Sequence, residues 1–148
     1  MTINEYLWRL EWLQIKKERK YEYYMKLADR ISSPQSTLHG DGTPRAKDPQ
    51  VRERMLTESS AALEAYYAAD DEYFKYKWKL FSQLEQLEYR YRIALDFKYI
   101  TNLSRPLEQR NNGIASHLRI RKKEVPALLK EAKSKLREVL ISEGYEIE

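Results

Sequence analysis

The chain has 148 residues, 42% of them apolar and 34% charged, with a formal net charge of +4. That length predicts one domain, or a small domain with an extension, and the charge fraction suits long exposed helices better than a compact α/β domain. No cysteine is present, which excludes disulfides, thiolate-ligated zinc and thiol catalysis.

The first helix is expected over 1–31. The opening TINE reads as a capping box in which Thr2 and Glu5 satisfy each other's amides. Apolar residues then recur at Ile3, Tyr6, Leu7, Leu10 and Leu13, and again at Tyr24, Leu27, Ala28 and Ile31. The segment carries Glu5 and Glu11 and lacks an unbroken apolar stretch, so it is not read as a signal peptide. Nothing approaches the roughly 20 apolar residues of a membrane span. The expectation is a protein of a reducing cytoplasm, without membrane attachment.

Residues 32–50 hold three of the five prolines and two of the four glycines, and predict a flexible linker. Asp48 and Pro49 then fit the N-cap and first position of a second helix. Its stripe runs through Leu56, Leu63, Tyr66, Tyr73, Leu80, Leu84, Leu87, Tyr91 and Ala94, with Asp70 and Lys77 interrupting it. Steps of three, four and seven are those of a coiled-coil seam. One long helix is expected over 51–104, kinked near 86–89, although no proline or glycine stands there to cause it. Folding the first helix back on the second buries both stripes, with Trp8, Trp12 and Trp78 as large anchors. The predicted fold is therefore all-α: a long antiparallel, coiled-coil-like helical hairpin followed by a C-terminal helix-turn-helix. The breadth of the stripe also predicts a homo-oligomer.

The segment 105–148 forms the C-terminal module. A short amphipathic helix is expected over 107–120 and a last helix over 123–141, then the acidic tail EGYEIE with a glycine stop. Counted from Asn111, the positions that a helix-turn-helix needs apolar are Ile114, Ala115, Leu118, Ile120, Val125 and Leu128. Ala115 is small enough for the helices to cross. Between Arg105 and Arg137 stand ten Lys or Arg against three Glu, while Thr57 to Phe74 has five acids and no base. A basic module on a more acidic stalk is the footprint of a nucleic-acid binder. Candidate DNA-binding residues are Arg121, Lys122, Lys123 and Lys130, facing the groove, and Arg119, Lys133 and Lys135, on phosphates. Two positions depart from the pattern. Arg119 stands where the turn usually holds glycine, and Pro126 is tolerated only in the first turn of its helix. A basic amphipathic helix with a solvated face is the plainer reading of the same residues, and a pure protein-binding module is a third.

No catalytic constellation appears: there is no Gly-rich phosphate loop and no G-x-S-x-G or H-E-x-x-H. His39 and His117 are far apart in the chain and lack companion ligands. A non-enzymatic protein without cofactor or metal is expected.

The stretch EYRYRIALDFKYI followed by GIASHLRIRKKEVPALLKEAKSKLR resembles region four of bacterial sigma factors, including the Ala-x-x-x-Leu-Arg run at Ala132 to Arg137. The N-terminal half and its Gly/Pro linker resemble small phage-encoded regulators of the ArpU and RinA kind. The resemblance implies a phage or prophage regulator of late-gene transcription in a bacterial host, with duplex DNA and RNA polymerase as partners. The alternatives are a phage assembly or packaging subunit of the small-terminase type, which grips DNA without reading it, and a helical adaptor between proteins.

Overall fold

The structure is a computed structural model and describes residues 1–32 and 49–148. The expected linker and the Asp48 cap fall almost wholly outside the described residues. Among those residues the chain is all-α. It comprises α1 (Ile3–Ser32), α2 (Pro49–Leu84), α3 (Tyr89–Tyr99), α4 (Leu107–Leu118), a 3₁₀ turn (Lys122–Glu124) and α5 (Val125–Ser142). Two compact units result. The smaller spans Leu13–Tyr73, and the larger joins Met1–Trp12 to Phe74–Glu148.

In the smaller unit, Leu13, Leu27, Ala62, Ala69 and Tyr73 are buried. Lys17 pairs with Asp70 at 3.4 Å and lies 4.3 Å from the centroid of the Tyr73 ring. Lys16 reaches Glu72 at 3.0 Å, and the rings of Tyr21 and Tyr66 meet at 5.2 Å. Asp70 is therefore not a defect in the seam but half of a flanking ion pair. The expected stripe is shifted at its start: Leu56 is exposed and Leu63 half-buried, while Ala62 and Ala69 take the inner positions. Small alanines at those positions let two helices approach closely, a choice that a reading weighted by large apolar residues passes over.

The larger unit opens on the Thr2–Glu5 capping box. The Glu5 amide donates to Thr2 Oγ1 at 3.1 Å, and the Thr2 amide donates to the Glu5 carboxylate at 3.0 Å. Tyr6, Leu7 and Leu10 are buried, as are Leu80 and Leu84 of α2. Tyr6 donates its hydroxyl to Gln83 Oε1, and Tyr76 donates to the Tyr6 carbonyl. Trp8 packs edge-on against Tyr99 with centroids 4.7 Å apart. The other two expected anchors are not anchors: Trp12 is 56% and Trp78 69% exposed.

The expected continuous helix over 51–104 is two helices. Helix α2 stops at Leu84, and α3 begins after Glu88, whose backbone is extended (φ −59°, ψ 152°). The last bonds tighten to three-residue spacing, Gln86 to the Gln83 carbonyl and Leu87 to the Leu84 carbonyl. No local breaker causes this. The buried Gln83 and the exposed Gln86 both donate amide hydrogens to Glu143, at 2.9 and 3.0 Å, tying the break to the far end of the chain. Beyond it, α3 packs on both α4 and α5 and buries Tyr91, Ala94, Leu95 and Tyr99.

The loop from α3 to α4 is held by Arg110, which is 4% exposed. Its guanidinium donates to the carbonyls of Lys98, Leu103 and Arg105 and to the Glu11 carboxylate, at 2.8–3.2 Å. Only arginine offers that many donors in a fixed fork, and here they satisfy the carbonyls of a loop without regular structure. At the chain's end, Gly144 adopts φ +92° and the Tyr145 amide closes on the Leu140 carbonyl. The expected acidic tail then folds back. Ile147 is buried, and Tyr145 meets Tyr6 edge-on at 5.7 Å.

Candidate nucleic-acid interface

The turn between α4 and α5 is built by backbone chemistry. Arg119 adopts the left-handed conformation (φ 56°, ψ 43°), the only described non-glycine residue to do so. The Ile120 amide donates to the Ala115 carbonyl at 3.0 Å, and the Arg119 amide donates to Ser116 at 3.4 Å. That pair of bonds is the Schellman closure of a helix end. The conformation usually supplied by glycine is thus present, at a cost of about 1–2 kcal/mol for a side-chain-bearing residue. The chain then extends at Arg121 and enters the 3₁₀ turn, where the Glu124 carboxylate accepts the Arg121 amide at 3.2 Å. Because α5 starts at Val125, Pro126 falls in its first turn, where a missing N–H breaks no helical bond. Both departures from the expected pattern are accommodated without disrupting the module.

The six inner positions divide in two. Ile114, Ala115 and Val125 are buried, whereas Leu118, Ile120 and Leu128 are half-buried. The last three, with Arg90, Glu124 and Glu131, line a cleft of about 340 Å³. Helix α3 braces the module from behind. Tyr91 donates to Glu131 at 3.0 Å, Phe97 meets His117 edge-on at 4.9 Å, and the Tyr89 hydroxyl lies 2.8 Å from His117 Nε2.

The seven candidate DNA-binding residues fall into three settings. Arg119, Arg121, Lys122 and Lys123 are exposed around the turn, with half-buried Ile120 between the first two. Lys130 and Lys133 line a second cleft along one flank of α5, beside Lys98 and Arg137. Lys135 is exposed and lies 3.9 Å from the Glu138 carboxylate. Helix α5 also carries Glu131 and Glu138, both exposed, so its surface is less basic than the lysine and arginine count alone suggests. Lys98 was not among the candidates, because it lies in a different helix and only the fold brings it to Lys133. Arg137 was passed over as the end of a motif rather than as a cation on the same side of the helix as Lys130 and Lys133.

Among the described residues, no group of three or more His, Asp or Glu could hold a metal ion, and no helix is long and apolar enough to cross a membrane. No family model, characterised protein or solved structure matches the chain.

Proposed function

We propose that this chain is a non-catalytic protein that binds duplex DNA, acting as a transcription regulator of the phage type that its C-terminal stretch resembles. In this reading α4 and α5 work as a helix-turn-helix. The observation that carries it is the turn. Four exposed cations, Arg119, Arg121, Lys122 and Lys123, are displayed in sequence at the start of α5, on a backbone closed by the Schellman bonds at Ile120 and Arg119. A rigid turn that presents cations at a helix N-terminus suits backbone phosphates, and the helix that follows suits a groove.

The α1 and α2 segments supply the rest. Contacts pair Tyr6 with Tyr76 and Gln83 in the larger unit, and Lys17 with Asp70 and Tyr21 with Tyr66 in the smaller. In the smaller unit the partner's number falls as the α1 number rises, as in an antiparallel hairpin. Exposed Trp78, close to Phe81 at 6.2 Å, offers an apolar surface for a homo-oligomer.

The test is a double substitution. Lys122→Ala with Lys123→Ala should weaken duplex binding without lowering the melting temperature, since both side chains are exposed. If each holds one phosphate, the slope of log affinity against log salt should fall by roughly 0.9 per contact. A regulator prefers one sequence, and an assembly subunit shows the same slope without preference. Wild-type chain that binds no duplex at low salt would overturn the reading. A second reading then gains ground, because Leu118, Ile120 and Leu128 leave a partly apolar cleft open beside the turn. Such a cleft suits a protein partner, RNA polymerase included.

A further inference from the structure

One flank of α5 carries Lys130, Lys133 and Arg137, spaced three and four apart so that they share a side of the helix. Lys98, near the end of α3, joins them around a cleft of about 550 Å³ whose lining also includes Asn4 and Asn111. No carboxylate lines this cleft. Among the described residues, no ion pair involves any of the four cations. Arg137 donates only to the Ile147 carbonyl, at 3.4 Å. Like charges gathered without a counterion raise one another's energy. Burial, then the neighbouring charges of Lys133 and Arg110, hold the Lys98 ammonium below the usual lysine range.

Two buried polar atoms accompany the cations. Asn111 Oδ1 has no partner, and neither has the hydroxyl of Tyr99, whose ring lies 5.4 Å from Lys98 Nζ and 5.6 Å from Lys133 Nζ. Four cations around a cleft that no carboxylate lines make it a place for an anion. Ile3 and Asn4, in the first turn of α1, also line the cleft. Ile3, Pro126 and Leu129 complete the lining with an apolar side.

We propose that this cleft binds a low-mass organic phosphate. Lys98, Lys133 and Arg137 take the phosphate group, and the carbon skeleton rests on Ile3, Pro126 and Leu129. The backbone of a duplex offers no apolar body for that wall. The volume falls in the range of small-molecule sites, about 300–1,000 Å³. Lys130 and Lys133 are shared with the candidate DNA contacts, but none of the turn cations Arg119, Arg121, Lys122 and Lys123 lines the cleft, so neither proposal depends on the other.

Titration calorimetry and melting of the full chain would test it, with adenosine 5′-monophosphate and pyrophosphate as probes and sodium chloride of equal ionic strength as control. Both probes should bind saturably and raise the melting temperature. Lys98→Met and Arg137→Met should each weaken binding by about tenfold, the loss of one charge-assisted contact. Without ligand, Lys98→Met should melt higher than the wild type, because it removes a repelled ammonium. Loss of the ligand response is thereby separated from loss of fold. A response no greater than that to sodium chloride would overturn the proposal, as would one untouched by Lys98→Met. Displacement of the probes by duplex DNA, with Lys98→Met weakening duplex binding equally, would also overturn it and assign the cleft to the DNA surface.

Discussion

The larger unit breaks between helices at two turns that contain neither glycine nor proline, Glu85–Glu88 and Arg119–Arg121, and the two are held by different means. The second is closed locally. Its bonds link residues three to five apart, and one strained residue, Arg119, sets the direction. The first has local bonds at Gln86 and Leu87 and is in addition tethered from a distance. Gln83 and Gln86 reach Glu143, and Tyr6 steadies Gln83 from the other side. A turn made by its own backbone survives changes elsewhere, while a turn tethered by remote side chains depends on each of them.

The largest expected effect lies at the packing beneath the first turn. Leu84 has no exposure, so Leu84→Asp strands a charge in the core and should cost about 3–5 kcal/mol, read by urea denaturation. A loss under 1 kcal/mol would mean that the turn does not rest on this core. Removing only the remote tether should cost less. Glu143→Ala leaves the buried Gln83 amide without its acceptor, a loss of about 1–3 kcal/mol. Hydrogen exchange at Gln86 and Leu87 should quicken in that variant while Ile120 stays protected. Equal quickening at both turns would erase the distinction.

pH separates the turns in the same direction. Burial first, then the nearby tyrosines, raises the pKa of Tyr6 well above its ordinary 10.0. A raised pKa in the folded state means that stability is intact below pH 10 and is lost as pH climbs from there toward the folded value. Alkaline melting should therefore loosen the first turn before the second, and Tyr6→Phe should flatten that loss while giving up the bond to Gln83. The smallest effect is a gain. Arg119→Gly relieves the left-handed strain and should stabilise by about 1 kcal/mol, reduced by the greater freedom of glycine in the unfolded chain. Destabilisation would show that the Arg119 side chain supports the turn.

The same contrast explains what the sequence disclosed. The Thr2–Glu5 box, the glycine stop at Gly144 and the inner stripe of Ile114, Ala115 and Val125 are local patterns, and they were readable. The break after Leu84 is expected only as a kink, because no local breaker marks it and Glu143, which tethers it, stands about sixty residues away along the chain. The tail reads as acidic with a glycine stop, and Tyr145 and Ile147 carry the apolar surface that folds it back. Trp12 and Trp78 read as anchors by size, but their positions on the helices turn them outward. Of the candidate site, the turn cations were legible as a run. The cleft was not, since Lys98 and Arg137 become neighbours only through the packing of α3 on α5.

The larger unit is assembled from both ends of the chain, Met1–Trp12 and Phe74–Glu148. During synthesis, at roughly 5–20 residues per second, the first of these emerges seconds before the second exists. Tyr6, Leu7 and Leu10, all nearly fully buried in the finished fold, therefore spend that interval without their partners. They form an apolar segment that the ribosome delivers early and the fold covers late. The order of manufacture runs against the order of packing, and Met1–Trp12 is where a chaperone would have a longer opportunity than at Phe74–Glu148.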